Sequence, residues 1–320
     1  MSRRDELRFR AGDLSLGATL TLPATVTLPD GEERLPWVLL VPSWLPRNRD
    51  GDWDRQRHPD WYAPLGVDAP DGLFARLADA LAELGVASLR YDPRGCGKSD
   101  GSWEASDLFS RIDDARDAIG AMRSRRELDL RRAAIVGHGE GAVVALSVSI
   151  GDPAIGAVGL IGASARGYRD VLRRGVAERG RTGRDREHPF VAALDRSAEE
   201  LIERTVRHDT AMVIESANLN LAAWEQGFHT PPLALATMLH RNVVLAHGSA
   251  DCWSDPDESR ILLRVFTAAG NDPVLQLLDG AGHDLAEADD AAIGAFARAL
   301  AARMEPRELP PVLVAIEEMR

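Results

Sequence analysis

The sequence is poor in cysteine and has no apolar segment long enough to span a membrane. Its two cysteines, Cys96 and Cys252, provide no disulfide framework and lack the spacing of a zinc site. No uninterrupted apolar run reaches membrane-spanning length. The residues after Met1 lack the apolar core of a secretory signal, and internal repeats are absent. These absences favour a soluble protein, which we expect to be cytoplasmic.

Positive charge is also scarce. Lysine and arginine together number 38 against 50 aspartates and glutamates, which gives a net charge of -12. An acidic surface argues against nucleic acid and anionic membranes as partners. We expect a small-molecule substrate, no metal and no cofactor, and a homodimer is possible. The 320 residues, 45% of them hydrophobic, suit one large α/β domain with an insertion, or two small domains.

Strands and helices alternate along most of the chain. Leu7–Arg10 and Leu14–Leu22 alternate apolar and polar residues, which predicts an antiparallel hairpin at a sheet edge. The continuous apolar run Trp37–Val41 is typical of a strand buried on both faces. Further strands are predicted at Val86–Tyr91, Ala157–Ile161, Asn242–Ala246 and Val274–Leu278. This alternation predicts a mostly parallel sheet, with functional residues at the carboxyl ends of its strands.

The pattern changes between about Ala165 and Leu235. The sequence there becomes helical, charged and irregular, and regular alternation resumes at Asn242. We interpret residues 165–236 as an inserted helical cap. Residues 1–164 and 237–320 then form the core.

The stretch Ala133–Leu146 organises the predicted core. An apolar strand ends in a glycine-rich turn, and an apolar helix follows. Gly137 and Gly141 occupy the two glycine positions of the nucleophile elbow G-x-S-x-G, and Gly139 stands where the nucleophilic serine belongs. The free N–H groups at the start of the helix could hold an anion, a polarised carbonyl or a water. A glycine-rich turn without any chemistry also fits this stretch.

Polar motifs follow the last two predicted strands of the sheet. His247–Trp253 follows one strand and contains the acid Asp251. Asp279–Asp284 follows the next strand and contains His283, so an acid precedes a histidine along the chain. Arg90–Gly101 looks like the loop R-Y-D-x-R-G-x-G-x-S-D-G, and Pro42–Gly51 looks like H-G-S-G-P-x-D-R-D-G. With the elbow, these motifs resemble the α/β-hydrolase superfamily, of the esterase and peptidase-like kind with a helical cap. The resemblance covers nearly the whole chain and implies an α/β-hydrolase fold.

The resemblance also implies roles for individual residues. Asp251 would be the acid that orients the base His283, and N–H groups of Glu140 and of Trp44 or Ser43 would form the oxyanion hole. Two departures stand out, since Gly139 replaces the serine and Pro42-Ser43 replaces the usual His-Gly. The walls of the substrate pocket are expected to come from Trp44, His138, Trp253, Trp224 and Phe228. Aromatic walls suit an apolar or ring-bearing substrate.

Three functions fit this pattern. The leading hypothesis is an enzyme that uses the Asp251–His283 pair as a general base without a serine nucleophile, for elimination, lyase or cyclisation chemistry on a small natural-product-like molecule. The alternative is an ester or amide hydrolase. It would either activate water at Gly139 or be an engineered serine-to-glycine variant of a serine esterase. The third hypothesis is a non-catalytic ligand-binding protein of the same fold.

Overall fold

An eight-stranded, mostly parallel sheet forms the centre of the protein. The computed structural model describes residues 2–24, 34–59, 72–182, 189–214 and 217–318. The strands of the sheet are β1 Arg3–Ala11, β2 Leu14–Leu22, β3 Leu35–Val41, β4 Ala87–Tyr91, β5 Leu128–His138, β6 Ile155–Ile161, β9 Asn242–Gly248 and β10 Val274–Leu278. They lie in the order β1-β2-β4-β3-β5-β6-β9-β10. Only β1–β2 and β2–β4 pair antiparallel, so the expected edge hairpin and parallel core are confirmed.

Helices cover both faces of the sheet. The core helices are α1 Leu73–Glu83, α2 Leu108–Arg123, α3 Gly141–Gly151, α8 Pro232–Met238, α9 Pro256–Ala268, α10 Asp290–Ala301 and α11 Pro311–Glu318. Helices α1 and α10 share one apolar layer, and α2, α3 and α9 share the other. Strands β3, β5, β6 and β9 are apolar throughout their centres because both of their faces are covered.

An insertion lies between β6 and β9. It contains helices α4 Tyr168–Thr182, α5 Pro189–Arg196, α6 Ala198–Val206 and α7 Leu221–His229, with a hairpin of β7 Ala211–Ile214 and β8 Ala217–Asn220. The segment predicted as a helical cap therefore also holds a small antiparallel sheet. Helix α8 spans the predicted boundary at 236 and packs against the core helices α3 and α9. Parts of the predicted cap, residues 183–188 and 215–216, lie outside the described residues.

The insertion has an apolar cluster of its own, which reaches onto the core. Its buried members from the insertion include Leu201, Met212 and Trp224, and they pack with Leu45 and Trp103 from core loops. The cluster seats the insertion over the carboxyl ends of the central strands. Within the described residues, no helix is long and apolar enough to cross a membrane.

Candidate active site

The turn between β5 and α3 is built for close packing. A β-carbon on Gly137 would lie 2.1 Å from the carbonyl oxygen of Gly141, and one on Gly141 would lie 2.4 Å from that of Val41. Both positions therefore require glycine. Gly139, at the tip, has a φ of +56°, a left-handed conformation that favours glycine.

Helix α3 points its N-terminus at this turn. Glu140 precedes the first helical residue, and its amide nitrogen forms no hydrogen bond within the described part of the chain. The unpaired N–H and the positive end of the helix dipole both favour negative charge beside Gly139. The Glu140 amide is therefore available to donate a hydrogen bond in the predicted oxyanion hole, and the charge distribution around it favours that role.

His283 and Asp251 meet at the same turn, although they follow different strands. His283 Nδ1 lies 2.8 Å from Asp251 Oδ2. The other ring nitrogen, Nε2, faces the turn and would lie 3.0 Å from a β-carbon on Gly139. Nε2 has no hydrogen-bond partner among the described residues. The pair thus presents a free imidazole nitrogen to the tip of the elbow.

Charge in this pair favours a protonated imidazole. Burial alone would lower the pKa of His283, but the Asp251 carboxylate raises it above its ordinary value by charge and by hydrogen bonding. Burial would raise the pKa of Asp251, yet His283 and a hydrogen bond from His247 hold that pKa well below its usual range. Asp251 also accepts hydrogen bonds from the amides of Trp253 and Ser254, at 2.8 and 2.9 Å. The carboxylate is therefore fixed in place and stays ionised.

Ser43 also borders the tip of the turn. Its hydroxyl oxygen would be 2.8 Å from a β-carbon on Gly139, and the residue is 5% exposed. The following residue, Trp44, is anchored through its carbonyl, which accepts hydrogen bonds from Trp103 Nε1 at 2.6 Å and Arg111 Nη2 at 2.9 Å. The loop after β3 therefore reaches the elbow, as the resemblance implies.

A cavity of about 100 Å³ opens above Gly139, between the core loops and the insertion. Three of the five predicted wall residues line it, namely Trp44, Trp224 and Trp253. Trp44 and Trp224 meet edge to face, with ring centroids 5.5 Å apart. Helix α4 adds Tyr168, which was not expected from the sequence, and the lining is mostly apolar.

The other two predicted wall residues lie outside the cavity lining, which corrects the sequence-based expectation. His138 is 1% exposed, and its Nε2 donates to the carbonyl of His283 at 3.0 Å, beneath the site. This follows from its place at the end of β5, where the side chain turns toward Phe74 of α1. Phe228 lies behind Trp224, with ring centroids 6.3 Å apart, and supports that wall without reaching the cavity.

Two buried ion pairs support the site and were not predicted. Arg111 of α2 binds the Glu140 carboxylate at the start of α3. Arg47 Nη2 lies 2.7 Å from Asp284 Oδ2, directly after His283. The partners are far apart in sequence, so no local pattern could have indicated them. Each pair fixes a loop that carries a site residue.

Two groups of described residues bring potential metal ligands within 4.8 Å of one another: Asp54, His58 and Cys96, and His138, His283 and Asp284. In the first group Asp54 Oδ2 accepts from the Gly97 amide at 2.6 Å, and His58 Nε2 donates to the Gly95 carbonyl at 3.0 Å. The potential ligand atoms of Asp54 and His58 are therefore already engaged in hydrogen bonds within the protein.

The cysteines are poor nucleophiles, because burial raises the pKa of Cys252 to about 11 and that of Cys96 well above its ordinary value.

Comparison with known proteins agrees with this architecture. Residues 67–174 match the family model described as serine aminopeptidase, S33. No curated protein sequence matches the chain significantly.

Solved structures match over nearly the full length. Est1E from Butyrivibrio proteoclasticus, with bound ferulic acid, is similar at a TM-score of 0.65 and 16% identity, over 92% of this chain and 99% of that one. The α/β hydrolase GrgF from Penicillium sp. sh18 gives 0.62 and 16%, over 94% and 99%. An esterase domain of a Rhodothermus marinus protein gives 0.57 and 16%, over 94% and 97%. The chain therefore has the α/β-hydrolase fold, as its sequence motifs implied.

Proposed function

We propose that this protein is an enzyme in which His283, oriented by Asp251, acts as general base on a carbonyl compound bound in the aromatic cavity. One observation carries the proposal: His283 Nδ1 is held by a buried carboxylate, while Nε2 would lie 3.0 Å from a β-carbon on Gly139 at the tip of the elbow. A protein that only bound a ligand would have no need of an acid–base pair aimed at the floor of its cavity. The arrangement therefore favours catalysis over the binding function.

The surrounding residues have clear roles in such a reaction. Asp251 keeps the proton on Nδ1, so that Nε2 is free to accept one from the substrate or from a nucleophile. The Glu140 amide and the N-terminus of α3 stabilise negative charge that develops on the carbonyl oxygen. Trp44, Trp224 and Trp253 hold an apolar or ring-bearing group. Residues 165–236 act as a cap that closes over this group.

Hydrolysis of an ester, amide or lactone is the reaction that we favour. The similar structures include an esterase domain and a protein with bound ferulic acid, a ring-bearing carboxylic acid. An acid of that kind matches an aromatic cavity with a general base at its floor.

Elimination or cyclisation is the second candidate, and Gly139 is the observation that favours it. These reactions need a base and a site for an oxyanion but no covalent intermediate at the elbow. Product analysis separates the candidates. Hydrolysis adds the elements of water to the substrate, whereas elimination and ring closure do not.

Steady-state kinetics of base variants test the proposal on p-nitrophenyl esters and on aromatic carboxylic esters. His283→Ala should lower kcat by about two to four powers of ten, the usual contribution of a positioned acid–base group. KM should change much less, because the imidazole acts mainly in the transition state. Asp251→Asn should also slow turnover strongly, because the amide favours the wrong imidazole tautomer.

His240→Ala is the matched control, since His240 is exposed and lies away from the cavity. This variant should keep the parent rate. A His283→Ala protein that turns over as fast as the control would contradict the proposed function.

A further inference from the structure

We propose that Ser43 supplies the hydroxyl that His283 activates, so that the nucleophile comes from the loop after β3 and not from the elbow. The inference rests on the role of His283 as general base proposed above. It adds the group that attacks the carbonyl and forms the covalent intermediate.

The first support is the shared position of two side chains. A β-carbon on Gly139 would lie 2.8 Å from Ser43 Oγ and 3.0 Å from His283 Nε2. Both atoms therefore border the small volume that a side chain at position 139 would fill. The separation of Ser43 Oγ and His283 Nε2 is therefore no greater than the sum of these two distances.

The second support is that the Ser43 hydroxyl is uncommitted. Its oxygen has no hydrogen-bond partner among the described residues and is not one of their buried unpaired polar atoms, so it is accessible from the cavity. Ser43 lines the cavity together with His283 and Gly139, so its free hydroxyl is in the compartment where substrate would bind.

The third support is that the backbone around Ser43 is held firmly. The carbonyl oxygens of Val41 and Pro42 lie so close to Gly141 that a β-carbon there would come within 2.4 and 2.6 Å of them. On the other side, the Trp44 carbonyl is bound by Trp103 and Arg111. The loop after β3 and the start of α3 thus form one packed unit, and rotation about the Cα–Cβ bond is the remaining freedom of Ser43.

The sequence shows a matching exchange. Relative to the α/β-hydrolase motifs, serine is replaced by glycine at position 139 and glycine is replaced by serine at position 43. Two side chains could not both occupy this space without a shift, because the β-carbon of one would lie 2.8 Å from the hydroxyl of the other. The exchange keeps one hydroxyl in the volume beside His283.

The reaction balances with the groups present and water. Nε2 of His283 takes the proton of the Ser43 hydroxyl as Oγ bonds to the carbonyl carbon, and the carbonyl electron pair moves to oxygen beside the Glu140 amide. The bond from carbon to the leaving group breaks, and the leaving group takes the proton from His283. Water then gives a proton to His283 and attacks the acyl carbon. The carboxylic acid leaves, and the proton returns to Ser43 Oγ.

Covalent labelling with a fluorophosphonate probe, followed by peptide mass spectrometry, tests the assignment. The parent protein should carry the label on Ser43. Ser43→Ala should lose the label and should hydrolyse p-nitrophenyl esters slower by about three powers of ten or more. Ser149→Ala is the matched control, because Ser149 is a buried serine of α3 whose hydroxyl donates to a carbonyl of its own helix. This variant should keep both labelling and rate.

A second variant moves the nucleophile. The double variant Ser43→Gly with Gly139→Ser should carry the label on the elbow peptide. Gly139→Ser alone should label more slowly there than the double variant, because its new side chain meets the Ser43 hydroxyl. Thermal unfolding of each variant shows that the protein is folded when it is assayed.

The outcomes separate the two proposals. A Ser43→Ala protein that keeps the parent rate, while His283→Ala is slow, would leave the general base in place and refute the role of Ser43. A parent protein that hydrolyses esters but carries the label at another residue, or at none, would refute it as well. If His283→Ala keeps the parent rate, the proposed function itself fails.

Discussion

His283 lies between two carboxylates, and only one of them is bonded to its ring. Asp251 is bound to Nδ1 at 2.8 Å, whereas Asp284 follows His283 in sequence and is bonded to Arg47. Both carboxylates raise the pKa of His283 against the effect of burial, and Asp251 contributes more than Asp284. The base is therefore tuned mainly by the residue that also orients it.

The pH dependence of kcat/KM should report this tuning. Only neutral imidazole accepts a proton, so the rate should rise with pH through the pKa of His283. The midpoint should lie above the ordinary histidine value, about 6.5. Asp251→Asn should move that midpoint to lower pH as well as reduce the plateau rate. Asp284→Asn, a matched loss of one carboxylate, should move the midpoint less. Equal midpoints in all three proteins would show that the carboxylates do not set this pKa.

Single residues also show how far the sequence predicts the site. The order of strand-end motifs was enough to indicate that Asp251, His283 and Gly139 converge, because parallel strands end at one edge. The resemblance placed the backbone of Ser43 or Trp44 near the elbow, but the approach of the Ser43 hydroxyl to Gly139 was not predictable in this way. It depends on how closely the loop after β3 packs on α3, a distance of tenths of an ångström that no spacing in the sequence encodes.

At the scale of elements, helix α2 fixes two segments that border the site, the start of α3 and the loop after β3. Arg111 of α2 binds the Glu140 carboxylate at the start of α3 and the Trp44 carbonyl in the loop after β3. Burial raises the pKa of Glu140, although the charge of Arg111 opposes that shift. One guanidinium thus joins both segments that were predicted to form the oxyanion hole.

Removal of one partner of this buried pair should be costly. Arg111→Met leaves the Glu140 carboxylate buried and unpaired, so the free energy of unfolding should fall by about 3–5 kcal/mol. Urea denaturation measures the change. The double variant Arg111→Met with Glu140→Met removes both charges and should be more stable than the single variant. A single variant as stable as the parent would mean that water or another cation reaches Glu140.

Elements of regular length were well predicted, and short ones were not. Continuous apolar runs identified β3, β6 and β9 because those strands are covered on both faces. The hairpin in the insertion was not predicted because β7 and β8 are only 4 residues each. Alternation over so few residues does not distinguish a strand from a helix. The insertion was therefore predicted as helical.

At the scale of the whole molecule, a buried histidine links the active site to stability. His138 lies at the end of β5 beneath His283, with ring centroids 4.7 Å apart. Burial, assisted by the charge of His283, lowers the pKa of His138 to about 3. The folded protein therefore keeps this ring neutral at pH values where an unfolded chain would protonate it.

This difference predicts a loss of stability in mild acid. Between pH 6.5, the ordinary histidine value, and the native value of about 3, the unfolded chain binds a proton at His138 that the folded chain does not. Acidification therefore favours unfolding, by up to about 1.4 kcal/mol per pH unit for one proton. Urea denaturation at several pH values between 6.5 and 4.5 measures the slope of the unfolding free energy against pH. Most carboxylates titrate below this range.

His138→Gln isolates the contribution of this residue. Glutamine has an N–H group that can replace the hydrogen bond to the His283 carbonyl, but it does not titrate. Its free energy of unfolding should vary with pH less steeply than that of the parent, and the difference between the two slopes should approach one proton. Glu140 has a raised pKa that acts in the opposite direction because the folded state protonates first, but His138 does not contribute to that shift, so Glu140 titrates equally in both proteins. Parallel stability curves for parent and variant would show that His138 is protonated in the folded protein at mildly acidic pH.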